Sequence, residues 1–326
     1  MKKNLLLIFG GGSTEHDVSI ISANYLRSQI NESIYRVIEV EINKDFKWIH
    51  NKSELTLDFS GNLIFPDKSQ VKVDLVVPCI HGYPGESGDL QSYLEMINIP
   101  YFGCSSESNK ICFNKIITKL WLDKVGIETT PFITLTDSSE ESLAKVKSFF
   151  EEYGSLFVKA SNQGSSVGCY PLKKIDSIQE VITSAFKLSD FVLVEKELKG
   201  RELEVSVFEF KGEIHATNPG EIVCPSKFYS FDEKYKKSSD TKTFVEANNL
   251  TMDQKSTIHE MAISAFKTLK LKDLSRIDFF LTESGHILIN EINTMPGMTP
   301  ISMFPKMMEN YGIKFSDYMT ERLSHL

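Results

Sequence analysis

The sequence predicts an α/β fold: an N-terminal doubly wound parallel sheet, followed by two smaller units of mixed strands and helices. Two observations carry that prediction. Through the first hundred residues, short apolar runs ending in glycine turns alternate with helical stretches. Further on, strands come in pairs around polar loops, with helices between the pairs.

LLLIF (5–9) reads as a buried parallel strand, because an unbroken apolar run has two faces to hide. It ends in Gly10-Gly11-Gly12-Ser13, and a helix follows over 17–30. YRVIEVEI (35–42) alternates as a strand does. VDLVVPCI (73–80) is a second buried strand, followed by His81-Gly82 and a helix over 89–98. In such a unit ligands meet the carboxyl ends of the strands. One helix is predicted over 109–125, with lysines at 110, 115, 119 and 124. TPFITL (130–135) is a strand and 140–153 a helix. SLFVKA (155–160) and VGCYPL (167–172) are strands flanking the loop SNQGSS, and a helix over 176–187 leads to the strand FVLVEKEL (191–198). The last third offers strands at 202–210, 213–216, 274–282 and 286–293. A helix over 251–269 is capped by Thr251 or Asp253, and two short helices lie at 300–309 and 315–325. The units divide near 104 and 190, as 1–104, 105–190 and 191–326.

The 326 residues carry 36 Lys and Arg against 44 Asp and Glu, a net charge of −8. That balance argues against a protein built to wrap nucleic acid, yet leaves room for a local basic pocket. No apolar run approaches the ~18–20 residues a bilayer needs. Five widely spaced cysteines without a CxxC pair point to reduced thiols in a cytoplasmic protein rather than to zinc.

Four segments carry chemistry. Gly10-Gly11-Gly12 is either a phosphate cradle or a tight strand-to-helix turn. Glu15, directly after it, either caps the helix or binds a substrate ammonium. FVKASNQGSSVG (157–168) sets Lys159 at a strand end before a glycine-serine loop suited to phosphate; the alternative is a mobile hairpin loop. SRIDFFL (275–281) and ILINEINTMPGM (287–298) form a hairpin through Glu283-Ser284-Gly285. Asp278 and Glu291 then sit on adjacent strands, with Asn293 on the same face. Three oxygen donors there suit Mg²⁺ bridging phosphates, with Arg276 placed to stabilise developing negative charge; the alternative is a structural salt-bridge cluster. FYSFDEKYKKSSDTK (228–242) reads as a lid or an exposed linker.

In order, GGGSTEHDVS (10–19), HGYPGESGDLQ (81–91), IPYFG (99–103), VKASNQGSSVG (158–168), VEKELKGRELEVSV (194–207), FYSFDEKY (228–235), RIDFFL (276–281) and NEINTMPGMTPIS (290–302) make a specific combination. The chain resembles the ATP-grasp superfamily and, within it, the D-alanine–D-alanine ligases, nearly end to end. The resemblance implies a three-domain ATP-grasp architecture, with the N-terminal unit binding substrate and the other two gripping ATP. It implies that Lys115 and Lys159 contact the phosphates, that Glu195 and the backbone of Lys196–Leu198 meet the adenine, and that Glu202 meets the ribose. Asp278, Glu291 and Asn293 would hold two Mg²⁺ ions, with Mn²⁺ as a substitute. Glu15 would engage the first D-alanine's ammonium near His81. Arg276 and the Gly297 amide would form the oxyanion site, and Ser302 would bind the second D-alanine's carboxylate. Ser165 and Tyr235 would link to Glu15 when the lid 226–242 closes, and Lys234 would reach the γ-phosphate. A cytoplasmic homodimer is also implied, with no nucleic acid or membrane partner.

This chain departs from the family pattern at Ser87 within GESG, at Ala160, and in TFVEANNLT (243–251) after the lid. None of these removes a catalytic atom, and Tyr235 favours D-alanine over D-lactate as acceptor by the same resemblance. Two other readings are weighed: an ATP-grasp ligase of other amino acids, and a nucleotide-binding regulator without turnover. The complete set of Lys115, Lys159, Arg276, Asp278, Glu291 and Asn293 counts against the second. A nicotinamide dehydrogenase leaves those carboxylates unexplained.

Overall fold

The run at 5–9 forms the middle of β1 (Lys3–Gly10), where Leu5, Leu6, Leu7 and Ile8 are wholly buried. A strand without alternation needs cover on both faces, and β1 has it. It pairs in parallel with β2 (Tyr35–Ile42) on one side and, across the order given below, with β7 (Leu75–Cys79) on the other. Helix α1 (His16–Gln29) packs on this core, and α2 (Asp89–Met96) follows β7. This computed structural model describes residues 2–224 and 241–326.

The parallel part of the sheet is smaller than expected. Beyond β2 run four short antiparallel strands: β3 (Trp48–His50), β4 (Ser53–Leu57), β5 (Asn62–Ile64) and β6 (Gln70–Lys72). The full order is β6-β5-β4-β3-β2-β1-β7. Three of these strands have three residues each, too few to show an alternating pattern.

The single helix expected over 109–125 is two, α3 (Ser106–Phe113) and α4 (Lys115–Lys124). Asn114 breaks it with ψ of 101°, and its side chain caps the amides of Ile116 and Ile117 at 3.1 Å each. The same Oδ1 accepts from the Ser161 hydroxyl at 2.7 Å, tying the break to the glycine-serine loop.

A four-stranded antiparallel sheet follows, ordered β10-β9-β11-β8: β8 (Phe132–Leu135), β9 (Leu156–Ala160), β10 (Cys169–Leu172) and β11 (Val192–Lys196). Helices α5 (Glu140–Tyr153) and α6 (Ile178–Phe186) bury Val146 and Ile182 against Val158 and Val194. β11 lies past the expected boundary at 190, yet it is an inner strand of this sheet.

The last sheet is built on the long β12 (Gly200–Phe210). β13 (Glu213–Ala216), β14 (Gly220–Val223) and β16 (Leu274–Thr282) all pair with it; β15 (Lys242–Phe244) extends the β14 edge and β17 (Ile287–Asn293) the other. Helix α7 (Met252–Thr268) covers one face. Its cap is Thr251, which closes a reciprocal pair with Gln254. Cys104, Cys112, Leu122 and Ile127 join this sheet's core, so the α3–α4 segment packs with the third sheet rather than the second.

Helices α8 (Met303–Asn310) and α9 (Phe315–Ser324) join the first and last sheets. Phe304, Phe315 and Tyr318 share one core with Leu5, Leu7, Leu75 and Val77. At its margin the buried Asp273 accepts from the Gly103 amide and from Arg322 Nε, both at 2.7 Å. Arg322→Met would leave that carboxylate buried without its counter-charge, an expected cost of about 3–5 kcal/mol. A urea midpoint equal to wild type would overturn this.

Candidate active site

The hairpin of β16 and β17 sets the acidic side of a cleft. Asp278 lies directly opposite Glu291, and Arg276 opposite Asn293. Arg276 forks onto Asp278, with Nε and Nη2 each 2.7 Å from a carboxylate oxygen. Its Nε is also 3.3 Å from Glu204. Burial opposes the guanidinium charge, but Asp278 and Glu204 override it and hold the pKa well above its ordinary value. The salt-bridge reading and the metal reading thus meet in the same residues. Among the described residues no three His, Cys, Asp or Glu side chains converge, so a third donor would have to be the Asn293 amide. That amide now donates Nδ2 to Asp278 at 3.0 Å. Oxygen donors of this kind fit a hard divalent cation, provided Arg276 yields part of Asp278 and Asn293 turns its oxygen inward.

Lysines form the facing wall. Lys115 begins α4, and its Nζ lies 2.6 Å from the Gln163 carbonyl and 3.8 Å from Glu291. Lys159 sits on β9, 2.5 Å from Glu195 and 3.2 Å from Asn290 Oδ1. Glu195 is held from the other side by Lys119, at 2.6 Å. Burial raises the Glu195 pKa and the two ammonium groups lower it, with a net fall. Leu198 and Glu202 line the same cleft, together with the apolar faces of Phe157, Phe279 and Ile222. Lys196 lines it too, while its ammonium lies over the Tyr153 ring at 5.1 Å.

A second group gathers at the carboxyl ends of β1 and β7. Glu15 stands just before α1 and makes no side-chain cap, which removes the capping reading. It accepts instead from the Ser165 hydroxyl of the glycine-serine loop. Gly164 permits that approach, since an added Cβ would lie 2.9 Å from Glu15 Oε2. His81 is buried, and both ring nitrogens are engaged. The Met295 carbonyl, 3.0 Å from Nδ1, can only accept, so Nδ1 carries the proton. Nε2 then accepts from Ser22 at 2.9 Å, and the Ser22 oxygen accepts from the Met298 amide at 3.3 Å. Burial depresses the His81 pKa against a smaller opposing pull from Glu15.

Two family models match the chain: "D-ala D-ala ligase N-terminus" over 4–104 and "D-ala D-ala ligase C-terminus" over 121–324. The chain belongs to the D-alanine–D-alanine ligase family. It is 50% identical to a D-alanine–D-alanine ligase of Vibrio atlanticus over 97% of this chain and 96% of the relative. A ligase of the same name from Shewanella sp. strain MR-4 is 49% identical over 98% and 96%. Its fold matches the D-alanyl-alanine synthetase A structure from Vibrio cholerae with a TM-score of 0.95, at 47% identity over 99% and 98% of the two chains. A D-Ala:D-Ser ligase structure from Enterococcus faecalis aligns at 0.89, with 29% identity over 99% of each chain.

The residues singled out for the ligase family reaction fall into these two groups. Lys115, Lys159, Glu195, Lys196, Leu198, Glu202, Arg276, Asp278 and Glu291 line one cleft. Asn293 joins it through its bond to Asp278. Glu15 and Ser165 are in contact, and His81 fastens the segment that carries Gly297. Ser302 folds back on that segment, its hydroxyl 2.7 Å from Thr299 Oγ1. Lys234, Tyr235 and nearly all of the lid 226–242 lie outside the described residues. Sequence reasoning missed three participants. Lys119 was one lysine among four, Ser22 one helical serine, and Glu86 part of the GESG turn. Burial and the Glu15 carboxylate push the Glu86 carboxyl up to about 8. The spacing of Lys115 and Lys119 at i and i+4 was the available signal, because it puts both on one helix face.

An imidazole held neutral by burial has a folded pKa below its ordinary 6.5. As pH falls below that value the unfolded chain gains a proton the folded one refuses, so stability declines. His81→Gln is expected to flatten this decline in urea midpoints taken below pH 6.5. Parallel pH slopes for the two proteins would show that His81 titrates normally.

Proposed function

We propose that this chain joins two D-alanines into D-alanyl-D-alanine at the expense of ATP, as a step in building peptidoglycan precursors. The observation that carries the reading is the cleft between the second and third sheets. Its lysines face the Arg276–Asp278–Glu291 hairpin, in a chain matched to ligases over almost its whole length.

A carboxylate is a poor electrophile because its leaving group would be oxide. An oxygen of the first D-alanine's carboxylate attacks the γ-phosphorus of ATP, the bond to ADP breaks, and an acyl phosphate forms. The amine of the second D-alanine then attacks that carbonyl, its nitrogen releases a proton, and the oxyanion collapses as the C–O bond to phosphate breaks, leaving the amide and phosphate. Lys115 and Lys159 place and neutralise the phosphates, the main demand of phosphoryl transfer. Phe157, Phe279 and Ile222 offer apolar faces to the base, and Glu202 meets the ribose. Asp278, Glu291 and Asn293 are the residues that would hold Mg²⁺, whose charge would draw off that of the phosphates. Glu15 holds the first ammonium with Ser165 fixing its orientation. Arg276 and the Gly297 amide face the oxyanion, and Ser302 receives the second carboxylate. Tyr235 and Lys234 would complete the enclosure that keeps water from the acyl phosphate.

The likeness to the family also supports a homodimer working in the cytoplasm, where ATP and D-alanine meet. Among the described residues, no helix is long and apolar enough to cross a membrane.

The test is phosphate release over pairs of D- and L-amino acids. Release is expected only with ATP, Mg²⁺ and D-alanine together. Release with D-alanine plus D-serine, and none with D-alanine alone, would move the chain to the D-Ala:D-Ser type. Glu291→Gln is expected to lower kcat at least about 100-fold with the fold retained. Wild-type turnover in that variant would remove the metal assignment.

A further inference from the structure

Lys119 has no place in the reaction just described, yet it is among the most deeply buried side chains of the protein. Its side chain is 2% exposed, in the middle of α4. Its ammonium rests on Phe132, 5.7 Å from the ring centre, and lies 2.6 Å from Glu195 Oε1. That approach is an ion pair without hydrogen-bond alignment, and among the described residues its only carboxylate partner is Glu195. A buried ammonium is costly unless compensated, so the position demands a reason.

The reason lies on the other oxygen. Glu195 Oε2 is 2.5 Å from Lys159, which lines the cleft. Two ammonium groups therefore share one carboxylate. Were Glu195 to face Lys159 alone, the two would form a closed neutral pair with little charge left for an anion. With Lys119 drawing on the same carboxylate, the trio keeps one excess positive charge. Lys159 is its only member at the cleft with a hydrogen-bond donor to spare. An ammonium has three donors. Glu195 and Asn290 take two of them.

We propose that Lys119 is a positioning residue that offsets Glu195 and so leaves the Lys159 ammonium charged toward the phosphates of a nucleotide. The inference rests on the nucleotide reading of this cleft. It predicts that Lys119 matters for phosphates and not for the base. Burial pulls the Lys119 pKa down and Glu195 lifts it back part of the way, consistent with an ammonium dependent on that one partner.

The test measures binding of ADP with Mg²⁺, and of adenosine, to the full chain by calorimetry. Lys119→Met is expected to weaken ADP by at least about tenfold, the scale of one lost charge-assisted contact, with adenosine within about twofold. The double variant Lys119→Met with Glu195→Gln removes the offset and its target together. It is expected to restore the ratio of ADP to adenosine affinity toward wild type. It also keeps the test decisive where Lys119→Met does not fold, because it leaves no unpaired buried carboxylate. Equal loss of ADP and adenosine in Lys119→Met would mark a merely structural lysine and overturn the proposal. So would a double variant whose ratio is as low as, or lower than, that of the single variant. A wild-type chain that binds adenosine and ADP equally would overturn the phosphate reading of the cleft, and this inference with it.

Discussion

The rest of the structure depends on one apolar layer, shared by the first sheet and the helices that end the chain. β1 and β7 present Leu5, Leu7, Leu75 and Val77 to it, and the C-terminal part presents Phe208, Phe304, Phe315 and Tyr318. Burying one large apolar side chain contributes about 1.5–3 kcal/mol. Separating the two sides would expose Phe304, Phe315 and Tyr318 together, a cost comparable with the net stability of a whole domain. The layer therefore acts as a fixed base. Glu15 and His81 follow the two strands on one side of it, and the β16–β17 hairpin belongs to the other. Polar struts stand at its edges, where Met295 meets His81 and Gly103 meets Asp273.

The four-stranded sheet is attached differently. Among the described residues, its apolar core is made only of its own residues and those of α5 and α6. What ties it to the remainder is polar: Lys159 to Asn290, Ser165 to Glu15, and the Ser161 carbonyl to the Lys115 amide. Water can replace these three hydrogen bonds at small cost, whereas it cannot replace the apolar layer or the buried Lys119–Glu195 pair. The fold thus combines a rigid pair of sheets with a third that grips the cleft through charges and hydrogen bonds. A polyanion entering there exchanges one set of ionic partners for another. The net charge of −8 conceals this arrangement, because basic α4 and the acidic hairpin sit on opposite walls of one cleft.

Much of this was legible in the sequence, for a common physical reason. The hairpin was readable because two runs rich in β-branched and aromatic residues meet at Glu283-Ser284-Gly285, with Ile277 and Phe279 on one face of β16 and Arg276 and Asp278 on the other. β1 and β7 were readable because strands covered on both faces have no polar positions to spare. The antiparallel extension at 48–72 was not, since three-residue strands are set by turns and by a neighbour already in place. The break at Asn114 was hidden because its cause is tertiary. The Asn114 side chain caps α4 and also binds Ser161, far away in sequence. Among site residues, carboxylates in apolar strands announced themselves by their cost. Lys119 did not, because a lysine on a helix is ordinarily solvated, and only the position of Glu195 makes it otherwise.

His81 shows why residue type alone does not assign a role. Its place after a buried strand and beside Glu15 suggests a substrate contact. Its hydrogen bonds say something else about its first duty. Nδ1–H donates to the Met295 carbonyl, Nε2 accepts from the Ser22 hydroxyl, and the Ser22 oxygen accepts from the Met298 amide. The segment 295–298 is continuous with β17, but its polar backbone is fastened to α1 and β7 through one imidazole. Gly297 lies between the two fastened residues, so the amide proposed to face the oxyanion takes its position from the first sheet rather than from its own. A group asked to stabilise a charge that exists only briefly must be in place beforehand. Here that preorganisation comes from a neutral histidine with no free nitrogen, and from the apolar layer that keeps both of its partners in register.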